Sequence, residues 1–317
     1  MTMTRILFAS DFHGSDAFFR KFIGAAFQYQ ANVLIVGGDV TGKAMLPIVH
    51  QGNGHYRGYL FGRKEETSTH QELEKFRQTI SNVGFYPIVL EPDEAEEIEK
   101  DPEMMGKRFE EEMIARVRAW LALAVEKLSP KRIVLYFMAG NDDLASIDAV
   151  IDEFEYVRNP DGKRFWIDEY HELVGLSNAN MTPWKCARDV EEDYLEQRLD
   201  ELESMLEHPE RAITNLHVPP YDSGIDVCPQ LDKDLKIMTG GGQVLMKPVG
   251  STAVRSFLER VQPLLSLHGH IHEAPGHTRI GRTLCINAGS EYAEGILKAA
   301  IINLERDKVK GHILVSG

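Results

Sequence analysis

Five short segments of the sequence carry His, Asp or Asn side chains directly after an apolar run. They cover residues 8–13, 37–39, 139–142, 215–217 and 267–272. Each apolar run is typical of a buried strand, and open α/β sheets place ligand chemistry at the carboxyl ends of their strands. Together, His, Asp and Asn suit divalent cations of intermediate hardness, such as Mn, Fe, Ni or Zn. The pattern therefore predicts a metal centre at one edge of a sheet.

The spacing within the segments supports the same prediction. In Asp11-Phe12-His13 and His270-Ile271-His272, residues two apart project to the same side of an extended chain, so each pair can converge. The carboxylate of Asp39 has two free oxygens and can bridge two metal ions about 3.5–4 Å apart, as dinuclear hydrolases require. Each segment alone is more often structural. All five in order, each closing an apolar strand, favour function.

The elements that must position these side chains begin as a βαβ unit. Residues 5–10 are predicted to form a strand, Ser15 to cap a helix, and residues 32–36 to form a second strand. The next strand of this kind, residues 132–138, comes only after a long insertion. That insertion, about residues 52–130, is predicted to be mainly helical. A βαβ start favours a sheet that helices cover on both faces.

The second half of the chain is predicted to be richer in strands. Its expected elements are a hairpin over 164–176, an acidic helix over 189–207, a strand from 212, a helix capped by Ser251, a strand over 264–267, a hairpin around Gly281-Arg282, and strands over 297–304 and 309–315. The sequence shows no repeat and no low-complexity linker. A single domain spanning 1–317, with the insertion at 52–130, is therefore the expected organisation.

The composition limits the classes of function. The chain has 317 residues, 35 Lys+Arg against 49 Asp+Glu, a net charge of −14 and 43% hydrophobic residues. It should fold, contain no membrane span and lack general nucleic-acid binding, since a phosphate-tracking surface must be basic. A small phosphorylated substrate remains compatible with this charge if bound cations invert the local field. Cys186, Cys228 and Cys285 form no CxxC pair, and no secretory leader is evident. A cytoplasmic location is therefore expected.

The order of the motifs resembles that of the calcineurin-like metallophosphoesterase superfamily. The matching motifs are Asp-x-His at 11–13, Gly-Gly-Asp at 37–39, Gly-Asn at 140–141, the lone His217, and Gly-His-x-His at 269–272. The resemblance implies an α/β fold of four layers, α-β-β-α, in which two sheets pack face to face with helices outside. It also implies a dinuclear site: one ion is held by Asp11, His13 and His272, the other by Asn141, His217 and His270, and Asp39 bridges them. Mn²⁺ is the favoured metal, with Fe, Ni, Zn or Mg as alternatives.

The chain departs from the superfamily at one position. The motif that continues with His after the Asn ligand here reads Gly140-Asn141-Asp142-Asp143. The resemblance associates the missing imidazole with the substrate phosphate and with protonation of the leaving group. General acid catalysis is typically worth ~10²–10⁴-fold, so this branch should hydrolyse esters of poor leaving groups weakly. Asp142 could replace the acid only if its pKa were raised, whereas two nearby dications would keep it ionised.

The predicted function is hydrolysis of a small phosphodiester by in-line attack of a metal-bridging hydroxide, with Asn141 steadying the phosphoryl oxygens. A diester is favoured over a monoester because it brings less negative charge to an acidic protein. The first alternative is a catalytically weak, metal-binding scaffold for protein interaction. The second is a P-loop over 37–44, in which Ala44 stands where Ser or Thr must reach Mg²⁺.

Three further assignments are less specific. His268 adjoins the terminal pair and is expected to orient a ligating imidazole or to pack, rather than to bind metal. Tyr221 could bind substrate, because its segment leaves His217 and turns sharply; a structural corner is equally consistent. The insertion could cap the metal cleft or form an oligomer contact, and the sequence does not distinguish the two.

Overall fold

The computed structural model of the chain describes residues 3–317. The strands of that part are β1 (Thr4–Ala9), β2 (Val33–Val36), β3 (Met45–Gly52), β4 (His55–Leu60), β5 (Arg63–Thr67), β6 (Tyr86–Leu90), β7 (Val134–Phe137), β8 (Val157–Arg158), β9 (Arg164–Trp166), β10 (Glu172–Leu176), β11 (Ala179–Asn180), β12 (Asp189–Val190), β13 (Ile213–Leu216), β14 (Val227–Pro229), β15 (Thr239–Gly240), β16 (Gln243–Val244), β17 (Met246–Pro248), β18 (Leu265–His268), β19 (Gly276–Ile280), β20 (Thr283–Asn287), β21 (Lys298–Glu305) and β22 (Lys308–Ser316).

Several of the helices begin where a side chain caps the first turn. They are α1 (Asp16–Gln28), α2 (His70–Asn82), α3 (Pro92–Lys100), α4 (Pro102–Leu128), α5 (Ser146–Asp152), α6 (Glu192–Met205) and α7 (Thr252–Val261). The predicted caps of α1 and α7 are confirmed, since Ser15 Oγ accepts from Phe18 N and Ser251 Oγ accepts from Val254 N. Such caps satisfy backbone donors that the first turn of a helix leaves unpaired.

Two six-stranded sheets form the centre of the molecule. The first has the order β22-β21-β1-β2-β7-β8 and the second the order β19-β20-β18-β13-β10-β9. Strands β1, β2, β7 and β8 pair in parallel in the first sheet, and β20, β18, β13 and β10 do so in the second. Parallel neighbours end at the same edge, so the loops that follow them lie together.

Alternation along the strands gives each sheet two apolar faces. In β1, Ile6 and Phe8 join a core between the sheets with Leu173, Ile213 and Leu265 of the second sheet. The opposite face of the first sheet packs on α1 and α4, and the opposite face of the second packs on α6 and α7. Near-continuous apolar strands are what a sheet buried on both faces requires. The predicted four-layer α-β-β-α fold is confirmed.

The insertion has a small sheet that the sequence did not predict. Its four strands have the order β5-β4-β3-β6. Ile48 of β3 packs against Leu73, Phe76 and Ile80 of α2. The segment 52–130 holds α2, α3 and α4 as expected. The small sheet extends it back to Met45, because β3 pairs with β6 in parallel over Met45–Val49. Among residues 3–317, no helix combines the length and apolar composition needed to cross a bilayer.

Candidate metal centre

The seven residues predicted as metal ligands converge beside one edge of the two central sheets. Each follows the carboxyl end of a parallel strand, with Asp11 and His13 after β1, Asp39 after β2, Asn141 after β7, His217 after β13, and His270 and His272 after β18. Their convergence explains the pattern seen in the sequence, since parallel strands bring their following loops together.

The first cluster consists of Asp11, His13 and His272, whose ligand atoms all lie within 4.8 Å of one another. His13 Nε2 is 3.1 Å from His272 Nε2, and His272 Nε2 is 3.5 Å from Asp11 Oδ1. His13 and Asp11 are fully buried. Two ring nitrogens and a carboxylate oxygen directed at one point form a donor set that a transition-metal ion accepts.

The second cluster consists of Asp39, Asn141, His217 and His270. Asn141 Oδ1 is 3.0 Å from His217 Nε2 and 3.0 Å from His270 Nδ1. Asp39 Oδ1 lies 3.3 Å from His217 Nε2, while Asp39 Oδ2 lies 3.7 Å from His13 Nε2 of the first cluster. One carboxylate therefore faces both clusters, as a bridging ligand must.

The backbone at these residues is strained. Asp11, His13, Asp39 and His270 have φ angles of 59°, 40°, 50° and 68°, in the left-handed region that non-glycine residues rarely adopt. Such conformations cost free energy and occur preferentially at functional sites. Four of the seven predicted ligands share this feature, which supports a functional role for this loop cluster.

The buried carboxylate of Asp143 joins two of the loops. It accepts from the backbone amides of Val40, Thr41 and Gly140 at 2.9, 2.8 and 2.7 Å. Only glycine fits at position 140 without a shift of its surroundings, because a Cβ there would lie 2.2 Å from Asp39 Oδ1. Asp143 therefore holds the loop of Asp39 against the loop that carries the second cluster's amide ligand.

Hydrogen bonds also orient the ligands of the second cluster. His217 Nδ1 lies 2.9 Å from the Gly37 carbonyl oxygen, so a proton is held at Nδ1, and Nε2 is the ring nitrogen that would bind a metal once it is deprotonated. Asn141 Nδ2 donates to Asp189 Oδ1 at 2.7 Å, which turns Asn141 Oδ1 toward the histidines. Nothing in the sequence pattern singled out Asp189, since it begins the short strand β12, 48 residues after Asn141.

The electrostatics of the clusters are those of a cation site. Burial, with the nearby Lys43 charge, lowers the pKa of His13 to about 3, and burial lowers that of His270 to about 4. Burial raises the pKa of Asp11, but the hydrogen bond and charge of His272 outweigh it and lower the pKa to about 2. Two rings are therefore neutral donors beside an ionised carboxylate.

The pKa of His217 shows that the buried carboxylates of the site need a positive charge beside them. Burial disfavours its charged form, but the carboxylates of Asp39 and Asp11 outweigh burial and raise its pKa to about 9. Two buried carboxylates thus require positive charge at this point. A divalent cation would supply that charge, and the same donors would hold it, so the residues present fit the metals that the sequence predicts.

Asp142 and Lys43 lie at the rim of the first cluster. Lys43 Nζ is 3.5 Å from Asp142 Oδ2, and His13 Nδ1 is 3.9 Å from the same oxygen. Burial and the charge of Asp39 raise the pKa of Asp142 above its ordinary value, while Lys43 opposes the shift. Its predicted catalytic role stays a prediction.

The structure separates the two remaining predicted residues from the clusters. His268 Nδ1 lies 2.9 and 3.1 Å from the carbonyl oxygens of Leu216 and Val218, and so holds the backbone on both sides of His217. Tyr221 is 41% exposed, and its backbone amide donates to the Ser251 carbonyl. Within residues 3–317, no hydrogen bond or ring contact joins the Tyr221 side chain to either cluster. This favours the structural-corner interpretation.

Tyr292, which the sequence did not single out, takes the position beside the first cluster. Its ring centroid is 4.7 Å from that of His13 and 5.9 Å from that of His272. It lines a cavity of about 420 Å³ together with His272, Glu291 and Lys298. The sequence signal that could have identified Tyr292 is its position in the loop after β20, which is the next parallel strand after β18. The cavity offers room for a substrate group next to the clusters.

The insertion supports the loops of the first cluster. Arg116 of α4 donates to the Gly14 carbonyl oxygen, and Gly42 N donates to the Tyr86 hydroxyl at 2.7 Å. A Cβ on Gly42 would lie 2.0 Å from the carbonyl oxygen of Gly84, so the two loops meet backbone to backbone. The insertion therefore holds in place the residue that follows His13 and the residue that precedes Lys43.

A search of solved structures found full-length alignments, of which that with TT1561 shows a shared fold. The structure of TT1561 from Thermus thermophilus aligns with a TM-score of 0.55 at 16% identity, covering 100% of this chain and 99% of that chain. A dimetal phosphatase from Danio rerio aligns at 0.48 with 11% identity, covering 99% and 98%. An archaeal phosphodiesterase aligns at 0.36 with 11% identity, covering 98% and 100%. No protein-family model and no curated protein sequence matches the chain.

The chain has the four-layer fold that the resemblance of its motifs implies, so this expectation is confirmed at the level of the fold. The confirmation rests on the two face-to-face sheets, the outer helices and the full-length structural alignment. Membership of the branch without the histidine stays a prediction.

Proposed function

We propose that this protein is a metal-dependent phosphoric ester hydrolase that acts on a small phosphodiester in preference to a monoester. The observation that carries the proposal is the position of Asp39, whose two oxygens face the first and the second cluster at 3.7 and 3.3 Å. Asp11, His13 and His272 would hold one divalent cation, and Asn141, His217 and His270 the other. Mn²⁺ is the favoured metal.

When bound, two such cations lower the pKa of water and neutralise charge on a phosphoryl group. The chain's own residues position this chemistry. The buried side chains of the clusters exclude bulk water from one side, and the hydrogen bonds to His217 and Asn141 fix which atoms face inward. Preorganised donors of this kind need no rearrangement during the reaction.

Both ends of the Asn141 amide make contacts in this arrangement. Its oxygen faces His217 and His270, and its nitrogen donates to Asp189. Asn141 is therefore proposed as a metal ligand, and its predicted steadying of the phosphoryl oxygens stays a prediction.

The preference for a diester follows from charge. The protein carries a net charge of −14, and Asp142 stands where a histidine would add positive charge at the rim. A diester brings one negative charge and a monoester about two near neutral pH, so the monoester is repelled more strongly. The free thiols of Cys186, Cys228 and Cys285 support the cytoplasmic location proposed with this function.

The test is steady-state hydrolysis of bis(p-nitrophenyl) phosphate and p-nitrophenyl phosphate by Mn²⁺-loaded protein, with Asp39→Asn as the matched variant. We expect metal-dependent turnover of the diester above that of the monoester. The variant should lose more than the roughly 10- to 100-fold that loss of an outer hydrogen-bonding partner costs, because a ligand itself is removed. Absence of turnover despite two bound metals would favour the metal-binding scaffold instead.

A further inference from the structure

We propose that Lys43 binds a phosphoryl oxygen of the substrate and that Asp142 positions Lys43 for this contact. The inference rests on the proposed function, because it assigns to that site a substrate-contacting residue. Lys43 follows the loop that carries Asp39, four residues further along the chain.

The place of Lys43 is fixed by contacts on both sides. The preceding residue, Gly42, donates its amide to the Tyr86 hydroxyl at 2.7 Å, and Lys43 Nζ lies 3.5 Å from Asp142 Oδ2. The backbone amide of Asp142 in turn donates to Asp39 Oδ1 at 3.0 Å. The ammonium group is therefore tied, through Asp142, to the carboxylate that faces both clusters.

Lys43 is the cation of this site. Among the Lys and Arg residues of the described chain, it alone lies within 4.0 Å of a carboxylate of Asp11, Asp39 or Asp142. Its charge acts on His13 and His272 of the first cluster and on Tyr292 at the cavity. A phosphoryl group placed over the clusters beside the cavity would lie in this positive field.

The ammonium group is also free to bind. The Lys43 side chain is 50% exposed, and its one ion pair within residues 3–317 joins it to Asp142 at 3.5 Å. An ammonium group has three donors, so protons remain for an anionic oxygen. The single ion pair with the Asp142 carboxylate positions the ammonium group and leaves some of its N–H donors available.

The local fold excludes the competing use of this lysine. A P-loop over 37–44 would require a helix directly after Lys43, whereas β3 begins at Met45 and pairs with β4 and β6. The lysine thus belongs to a loop between two strands at the rim of the clusters. Its partner in that loop cluster is Asp142, not a nucleotide-bound Mg²⁺.

The experiment compares Lys43→Met, Lys43→Arg and the control Lys64→Met, whose lysine pairs with Glu66 on the insertion sheet. Each Mn²⁺-loaded protein is analysed for metal content, for kcat/KM with both nitrophenyl esters, and for inorganic phosphate binding by calorimetry. Lys43→Met should keep its metal, lose about 10- to 100-fold in kcat/KM and bind phosphate more weakly, because a charge-assisted hydrogen bond is lost. Lys43→Arg should recover most of the loss, and Lys64→Met should match the wild type.

Unchanged phosphate affinity in Lys43→Met would overturn the proposal, and so would loss of metal in that variant, since Lys43 would then act on the clusters rather than on the ligand. Failure of the proposed function has a different signature: the wild type would turn over neither ester. The phosphate titration would still decide the role of Lys43 in that case.

Discussion

The sharpest consequence of the structure concerns Asp189, which touches no predicted metal directly. Its Oδ1 accepts from Asn141 Nδ2 at 2.7 Å, and its Oδ2 accepts from Thr182 N at 3.0 Å and from Cys186 N at 2.9 Å. The Thr182 hydroxyl donates to the same Oδ2. One oxygen therefore orients the metal ligand while the other holds its own loop.

The substitution Asp189→Asn preserves shape but converts one of these acceptors into a donor. Three donors converge on Oδ2, so the amide oxygen should stay there and the new NH₂ should face Asn141 Nδ2. Two donors 2.7 Å apart repel, and Asn141 must rotate. Rotation takes Asn141 Oδ1 away from His217 and His270, both now 3.0 Å from it.

The loss should fall on the second cluster alone. Removal of an outer partner of a metal ligand typically costs about 10- to 100-fold in affinity, or about 1.4–2.7 kcal/mol. Mn²⁺ titration of Asp189→Asn, followed by calorimetry and by the electron paramagnetic resonance of free Mn²⁺, should show one site unchanged and one weakened by that factor. The first cluster, formed by Asp11, His13 and His272, shares no hydrogen bond with Asp189 within residues 3–317.

The control is Asp232→Asn, which alters an aspartate that accepts two backbone amides in an exposed loop. It should bind two Mn²⁺ ions as the wild type does. If Asp189→Asn also binds both ions with wild-type affinity, then Asn141 does not depend on Asp189 for its orientation and the reasoning is refuted.

Two further predictions concern stability. Gly42→Ala should lower the free energy of unfolding in urea by about 1–3 kcal/mol, because its Cβ would lie 2.0 Å from the Gly84 carbonyl oxygen; Gly106→Ala, with nothing within 4 Å, should raise it by about 0.5–1 kcal/mol. Equal changes in the free energy of unfolding for Gly42→Ala and Gly106→Ala would contradict the close contact between Gly42 and the Gly84 carbonyl oxygen. Burial raises the pKa of Asp168, but hydrogen bonds from His171 and the backbone outweigh it and lower the pKa from 3.8 to about 2. Because its pKa is lower in the folded than in the unfolded state, this carboxylate stabilises the fold at pH values above its unfolded pKa, by about 1 kcal/mol after solvent screening. That contribution disappears as the pH falls toward 2. Acid unfolding of Asp168→Asn should not show that component.

The metal clusters could be predicted from the sequence because every proposed ligand lies within a few residues of the carboxyl end of a parallel strand. The apolar run and the polar residue are neighbours in the chain, so a local pattern reports a position in the fold. The parallel pairing of β1, β2 and β7 then brings the separate loops to one edge. The ligand roles of these residues stay proposals, whereas the four-layer fold that positions them is confirmed.

The supporting residues could not be predicted, because their partners are distant in the sequence. Asp189 contacts Asn141 across 48 positions, and Tyr292 meets His13 across most of the chain. No periodicity or motif marks such a pair. The small sheet of the insertion escaped prediction for a related reason: β4 and β5 alternate weakly and are mostly exposed, so they lack the buried face that makes a strand visible.

The insertion makes direct hydrogen bonds to the loops of the site, which neither predicted role, a cap over the metal cleft or an oligomer contact, requires. A cap would have to reach over the clusters and an oligomer contact would lie away from them. The observed contacts instead join the insertion to the loops of the site: Arg116 donates to the Gly14 carbonyl oxygen, and the Gly42 amide donates to the Tyr86 hydroxyl. Gly14 follows His13 and Gly42 precedes Lys43, so a disturbance of the insertion reaches both the first cluster and the proposed substrate cation. The strained φ of 40° at His13 needs such support, because a backbone in this region persists only where its surroundings enforce it. The insertion therefore supports the loops of the site, and this role does not depend on what the outer surface of the insertion contacts.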